Sequence, residues 1–260
     1  MSAPSDEHQL KEAIERRRCE LGIVERAPAP KPWERAVEVP VVSPEEQAER
    51  NRRHQEYLAH EAENARKAAW RAFCEERGSR YGECRLGTYE CQSDEQRSVL
   101  ADLERYGDEM RVHLMHSEGV VLYGPPGTGK DHLVAGLAYR AIMQHGLTVR
   151  WKSGMQIFSE IRDRMETSES EYAYIHGFKR PDVLILSDPL PPIGALTQFQ
   201  SVKLYEILSA RYDNGKVTWV TINVASGSEA SERLGSSVYD RMRHGSLARF
   251  CNWPSYRKAK

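Results

Sequence analysis

The chain has 260 residues, 37 Lys and Arg against 38 Asp and Glu, and a formal charge of −1. Its 40% hydrophobic content supports a buried core, while 29% charged residues leave a substantial solvated part. No apolar run approaches the roughly 18 residues of a membrane span and no basic-then-apolar leader is present, so a soluble cytoplasmic protein with no membrane partner is expected. The balanced charge argues neither for nor against nucleic acid, because a local basic face fits within a neutral total.

Residues 7–22 read as a short charged helix, marked by Leu10, Ile14 and Leu21. Prolines in Ala27-Pro-Ala-Pro-Lys-Pro-Trp33 and Val39-Pro-Val-Val-Ser-Pro44 then make an extended linker. Ser43-Pro44-Glu45-Glu46 opens a second helix with a cap, a proline in the first turn and two acids at the positive dipole end. That helix should run to about Arg77 and stop at Gly78. Its apolar stripe is Leu58, Ala62, Ala65, Ala69 and Phe73, a narrow seam on a charged helix. The seam suits a solvated helix resting on its own domain and a docking or coiled-coil segment equally well.

From Cys91 the pattern becomes regular. Ser93-Asp94-Glu95 caps a helix through about Met110, with Val99, Leu100 and Leu103 inward. Residues 120–123 form the first core strand. Helix 132–145 buries Leu133, Leu137, Ala138, Ala141 and Ile142 and ends at Gly146. Strand 147–151, helix 155–165 (Ile157, Phe158 and Ile161 inward), strand 183–186, helix 198–212 and strand 217–223 follow. Strand 183–186 is wholly apolar, as in a parallel sheet covered on both faces. The alternation predicts an α/β fold with a central parallel sheet. The five cysteines contain no Cys-x-x-Cys pair. Cys74, Cys84 and Cys91 have the wrong spacing for the common zinc folds, so free reduced thiols are the better reading.

Between the first strand and its helix lies Gly124-Pro-Pro-Gly-Thr-Gly-Lys130-Asp131. Strand, glycine-rich loop, lysine and helix in this order make a nucleotide-phosphate cradle. Gly124, Gly127 and Gly129 let the backbone curl so that N–H groups face phosphate oxygens. Pro125, Pro126, Thr128 and His132 complete the expected contact run. Lys130 would bring an ammonium to the β- and γ-phosphates, and the helix N-terminus adds partial positive charge. Asp131 stands where a Ser or Thr hydroxyl usually meets Mg²⁺.

The strand before Ser187-Asp188-Pro189 is of the kind that carries a magnesium-organising acid, often followed by a water-activating one. If the strand ends at Leu186, Ser187 takes the metal position and Asp188 the water-activating one. If it ends at Ser187, Asp188 is the metal acid and Pro189 replaces the base. Asn223, at the end of strand 217–223, can orient water or contact the γ-phosphate; in isolation it reads as an ordinary strand-to-turn Asn. The tail carries Arg233, Asp240-Arg241-Met242-Arg243, Arg249 and Ser255-Tyr-Arg257-Lys258. This is either a solvated basic face, a source of one phosphate-reaching arginine, or a grip on a nucleic-acid backbone.

In order and interval these segments resemble the AAA+ ATPases of the DnaC/IstB type, which comprise helicase loaders and transposition helper ATPases. The matching stretches are Arg80-Tyr-Gly-Glu-Cys-Arg-Leu-Gly-Thr-Tyr89, residues 123–133, 183–188, 210–216, 220–224, 234–243 and 253–257. The resemblance covers residue 79 onward. It implies an AAA+ ATPase domain over 79–260 preceded by a helical, linker-containing region, 1–78, for partner docking. By the same resemblance Lys130 is the phosphate-loop lysine, Asp188 the second acid of the metal strand and Asn223 the polar sensor. Arg241 becomes an arginine finger acting across a subunit interface, and Arg257 a second sensor.

ATP and Mg²⁺ are the implied cofactors, with Asp131, Ser187 and Asp188 on the metal side. The implied partners are a replicative helicase, single-stranded DNA and further copies of the chain when ATP is bound. Two departures, Asp131 for a hydroxyl and Ser187 for an acid, predict slow hydrolysis, since a serine hydroxyl holds Mg²⁺ weakly and carries no charge. The alternatives are a transposition helper on duplex DNA and a catalytically weak nucleotide-binding adaptor.

Overall fold

The computed structural model describes residues 6–22, 43–167 and 170–257. The expected proline-rich linker falls almost wholly outside the described residues, as does Lys258. The chain divides into two compact units, residues 1–53 and 54–260. In the first, α1 spans Asp6–Glu20, closed by an Arg17–Glu20 ion pair at 3.3 Å. Helix α2 spans Pro44–Arg77, so the unit boundary falls inside it. The expected division at 78/79 lies at the C-terminal end of that helix.

The second unit is built on five parallel strands. These are β1 (Val120–Gly124), β2 (Val149–Ser153), β3 (Val183–Ser187), β4 (Val217–Asn223) and β5 (Leu247–Phe250). Their order across the sheet is β2-β3-β4-β1-β5. Alternation along each strand sends side chains to opposite faces. Val120, Leu122, Trp151, Ile185 and Trp219 pack on one face with α3 (Asp94–Asp108) and α5 (Lys130–Met143). Val121, Leu184, Leu186, Val220 and Ile222 pack on the other. That second face is covered by α6 (Gly154–Glu166), α7 (Glu171–Gly177) and α8 (Gln198–Asp213), with α9 (Gly227–Leu234) and α10 (Ser236–Arg243). Helices on both faces of a parallel sheet make the three-layer α/β architecture expected from the alternation.

Local chemistry explains the element ends. Ser93 and Gln96 form a reciprocal capping box at the start of α3, and Thr197 and Gln200 do the same for α8. Helix α3 stops at Asp108, and Met110 begins a separate α4 (Met110–Met115). Gly107, a poor helix former, sits against Arg140 just before that break. Arg211 is fully buried and ties the start of the sheet together. Its guanidinium donates to the carbonyls of Phe178, Pro181, Asp182 and Val217, and to Thr218 Oγ1.

The sequence reading did not foresee β5. Leu247–Phe250 is four residues long, contains Arg249, and pairs on only one side, with β1. It read as part of a basic tail because so short a run has no periodicity to detect.

The seam on α2 has two fates. Phe73 is buried, stacked on Trp70 at 5.1 Å and 5.8 Å from the Trp151 ring. Ala62, Ala65 and Ala69 are exposed, as is Leu58 at 51%.

Candidate nucleotide-binding site

Parallel strands bring their C-terminal ends to one edge, where ligands of open α/β sheets gather. Here β1 and β4 pair so that Gly124 stands opposite Asn223, and β3 and β4 so that Ser187 stands opposite Thr221. A cavity of about 270 Å³ opens there, lined by Lys130, Asp131, Asp188, Thr221, Asn223 and Arg257 among others.

The loop between β1 and α5 is shaped by glycines and held from outside. At Gly124 φ is +151°, and a Cβ would lie 2.3 Å from the Cys251 carbonyl oxygen. At Gly127 φ is +85°, and a Cβ would lie 2.0 Å from Ser255 Oγ. The chain after β5 closes over these bare positions. Cys251 N donates to the Tyr123 carbonyl at 2.7 Å and Tyr256 N to the Gly127 carbonyl at 3.0 Å. Trp253 Nε1 and the Tyr89 hydroxyl both donate to the Thr128 carbonyl, at 2.8 and 2.9 Å. Loop carbonyls are thus tied down, while the N–H groups of a helix's first turn have no intrahelical partner and suit an anion.

Lys130 is 5% exposed, its Nζ donating to the carbonyls of Gly124 and Pro125, each at 2.8 Å. Burial lowers its pKa, opposed by the neighbouring carboxylates of Asp188 and Asp131. Pro126 is exposed on the outer turn of the loop. His132 faces the cavity with Nε2 3.2 Å from Thr88 Oγ1 and 3.1 Å from the Arg85 carbonyl.

Strand β3 runs through Ser187, one residue beyond the expected 183–186. By strand end alone this is the register in which Asp188 is the metal acid; the side-chain contacts instead pair Ser187 with Asp131 and Asp188 with Asn223. Ser187 Oγ lies 3.1 Å from both Asp131 carboxylate oxygens. Asp188 leaves the strand at φ +47° before Pro189, an uncommon conformation for a non-glycine residue. Its carboxylate accepts from Asn223 N at 3.0 Å and from the Asn223 side-chain amide. Its own N–H donates to the Thr221 carbonyl at 2.9 Å. Burial and the Asp131 charge push the Asp188 pKa up, against the pull of Lys130.

The loop, Asp188, Asn223 and Arg257 therefore share one cavity. Arg241 does not line it. It lies on α10 with its guanidinium 4.6 Å from the Tyr212 ring. Sequence reasoning missed Arg77. Its Nη2 reaches Asp131 Oδ2 at 3.3 Å, and the Tyr81 hydroxyl donates to the same oxygen at 3.3 Å. Nothing local marks Arg77, which reads as one more charge on a charged helix. Tyr81, within a matching stretch, and Thr221, at a strand end, did carry a signal.

The sequence pattern described as IstB-like ATP binding protein matches residues 95–260, more than half of the chain. The chain belongs to that family. This IstB-like protein is also 28% identical to the replicative helicase loader DnaC of Escherichia coli K12 over 178 residues, 67% of this chain and 69% of that one. It is 30% identical to a Mycobacterium tuberculosis protein named as ATP-binding and in an insertion sequence, over 55% of this chain and 57% of that one. A crystal structure of the DnaC helicase loader superposes with a TM-score of 0.60 at 19% identity, covering 66% of this chain and 99% of that one. That likeness shows an AAA+ fold of the DnaC kind.

The IstB-like site offers hard oxygen donors to a cation: the Asp131 carboxylate with the Ser187 and Thr221 hydroxyls around it. No group of three His, Cys, Asp or Glu side chains forms a metal cage among the described residues. One carboxylate with two hydroxyls is a donor set of the kind that Mg²⁺ takes together with phosphates. Among the described residues no helix is long and apolar enough to cross a membrane.

Proposed function

We propose that this protein is an ATP-controlled loader that brings a replicative helicase to single-stranded DNA. The observation that carries the ATP switch is the convergence of Lys130, Asp188, Asn223 and Arg257 on one cavity beside a glycine-shaped loop. The similarity to DnaC supports the choice of partner.

In this reading the loop and the α5 N-terminus bind the phosphates, and Lys130 leaves its two carbonyls to reach the β- and γ-oxygens. Asp188, held by Asn223, accepts a proton from the attacking water. Asn223 links that carboxylate to the γ-phosphate position, and Arg257 contacts phosphate from the same chain. Arg241 serves a neighbouring copy's site, which makes the ATP-bound assembly an oligomer. Mg²⁺, when bound at Asp131 and Ser187, neutralises charge on the phosphates. Hydrolysis is slow because the acidic strand end lacks a first carboxylate. Region 1–78 docks the helicase, using the exposed seam of α2, while residues 79–260 form the ATPase domain.

A transposition helper acting on duplex DNA is the second reading, favoured by the IstB-like match and the insertion-sequence relative. Co-purification of full-length protein with a replicative helicase tests the first. Leu58→Glu with Ala62→Glu alters the exposed seam only and is expected to abolish helicase capture while leaving nucleotide binding intact. Retained capture rules out docking through that seam. ATP-dependent assembly on duplex DNA without helicase affinity selects the helper reading.

A further inference from the structure

A magnesium-dependent phosphate loop ordinarily pairs a hydroxyl after the loop lysine with a carboxylate at the end of the acidic strand. Here the residue after the lysine is Asp131 and the strand end is Ser187. The two side chains are in contact, with Ser187 Oγ 3.1 Å from each Asp131 oxygen. We infer that the protein keeps the hydroxyl–carboxylate pair of a magnesium site with its members exchanged, so that Asp131 supplies the charge from the helix and Ser187 the hydroxyl from the strand. This rests on the ATP-binding reading.

Three observations support a paired exchange over two unrelated losses. First, the charge is conserved: one carboxylate faces one hydroxyl, as in the ordinary arrangement. A carboxylate at both positions would bring two like charges to contact distance, and a hydroxyl at both would leave the cation no charge. Second, the environment converges on Asp131. Thr221 Oγ1 donates to Oδ1 at 2.8 Å, while Tyr81 and Arg77 donate to Oδ2. An acid in a helix's first turn is favoured by the dipole anywhere. The dipole does not explain why two strand ends turn hydroxyls toward this one. Third, Ser187 is 3% exposed, and neither it nor Asp131 nor Thr221 has a buried polar atom without a partner. A network this complete orders its members.

Asp131 Oδ2 is bonded to the Arg77 guanidinium, so a cation already sits beside the carboxylate. Mg²⁺ arriving with ATP would compete with that guanidinium for the same oxygen. The exchange therefore makes Mg²⁺ binding depend on Asp131 and places Asp188 outside the metal pair, free to remain with Asn223.

The test is the effect of a divalent cation on nucleotide affinity, measured with a non-hydrolysable ATP analogue so that turnover plays no part. Mn²⁺ serves as the probe through its effect on water-proton relaxation. In the parent protein the cation is expected to tighten analogue binding by about tenfold or more. Asp131→Asn, nearly isosteric, is expected to lose that gain and the Mn²⁺ signal while still melting cooperatively. Ser187→Asp alone is expected to weaken analogue binding with or without the cation. Asp131→Ser combined with Ser187→Asp is expected to restore the cation effect to within about threefold of the parent. A cation effect in Asp131→Asn equal to the parent's overturns the exchange, as does a double variant that melts like the parent but shows no cation effect. A parent that binds the analogue under neither condition overturns the ATP-binding reading itself, and the exchange with it.

Discussion

Arg77 in the last turn of α2 and Asp131 in the first turn of α5, 54 residues apart, form an ion pair of 3.3 Å at the edge of the nucleotide cavity. The guanidinium also lies 4.6 Å from the Trp151 ring and 4.9 Å from that of Tyr81, and its buried Nε has no hydrogen-bond partner. It is thus packed on aromatic faces with one donor unsatisfied. Arg77→Met keeps most of the packing volume and removes the charge. The expected outcome is a loss of about 1–3 kcal/mol in urea unfolding together with tighter Mn²⁺ binding in the presence of an ATP analogue. A stability loss with unchanged Mn²⁺ affinity would show that Arg77 is a structural partner only.

Gly127 tests whether the tail shapes the phosphate loop. With φ at +85° and Ser255 Oγ where a Cβ would go, Gly127→Ala forces the loop away from the tail. ATP-analogue affinity is expected to drop more than about tenfold with little change in far-ultraviolet circular dichroism. Pairing the change with Ser255→Gly removes the clash but not the backbone strain, so only partial recovery is expected.

Arg211 is a structural test remote from the cavity. Its side chain satisfies four carbonyls and the Thr218 hydroxyl while fully buried. Arg211→Met removes the guanidinium donor from each of those acceptors and is expected to cost about 3 kcal/mol or more in chemical denaturation.

Acid stability should depend on Asp182 and Glu160. Burial pushes the Asp182 pKa up, but Lys216 at 2.8 Å and the Thr148 N–H at 3.0 Å outweigh it and hold the value below normal. Glu160 is likewise raised by burial and lowered further by Tyr174 and by Lys152 at 3.2 Å. Both folded-state values lie below the unfolded ones. The stability they contribute is therefore present above about pH 5 and lost as pH falls through the folded values. Urea midpoints between pH 7 and 3 are expected to fall along this limb, and Asp182→Asn to flatten it.

By itself the sequence determined the parallel α/β layering, the glycine loop with Lys130, and the apolar strand that leads into Ser187-Asp188. Those features are local. A period of two or 3.6, a cap or a glycine turn is written in neighbouring residues and needs no knowledge of the rest of the chain. Only the tertiary structure showed that Ser187 faces Asp131 while Asp188 turns to Asn223, because those partners come from α5 and β4, far away in the chain. It alone brought Arg77 to Asp131 and laid Cys251, Trp253 and Tyr256 over the phosphate loop. The tail lies over the loop because β5 pairs beside β1, and Arg77 reaches Asp131 from the end of α2, stacked on Trp151 of β2. Such placements are set by how distant faces pack together, a relation no short window of sequence contains.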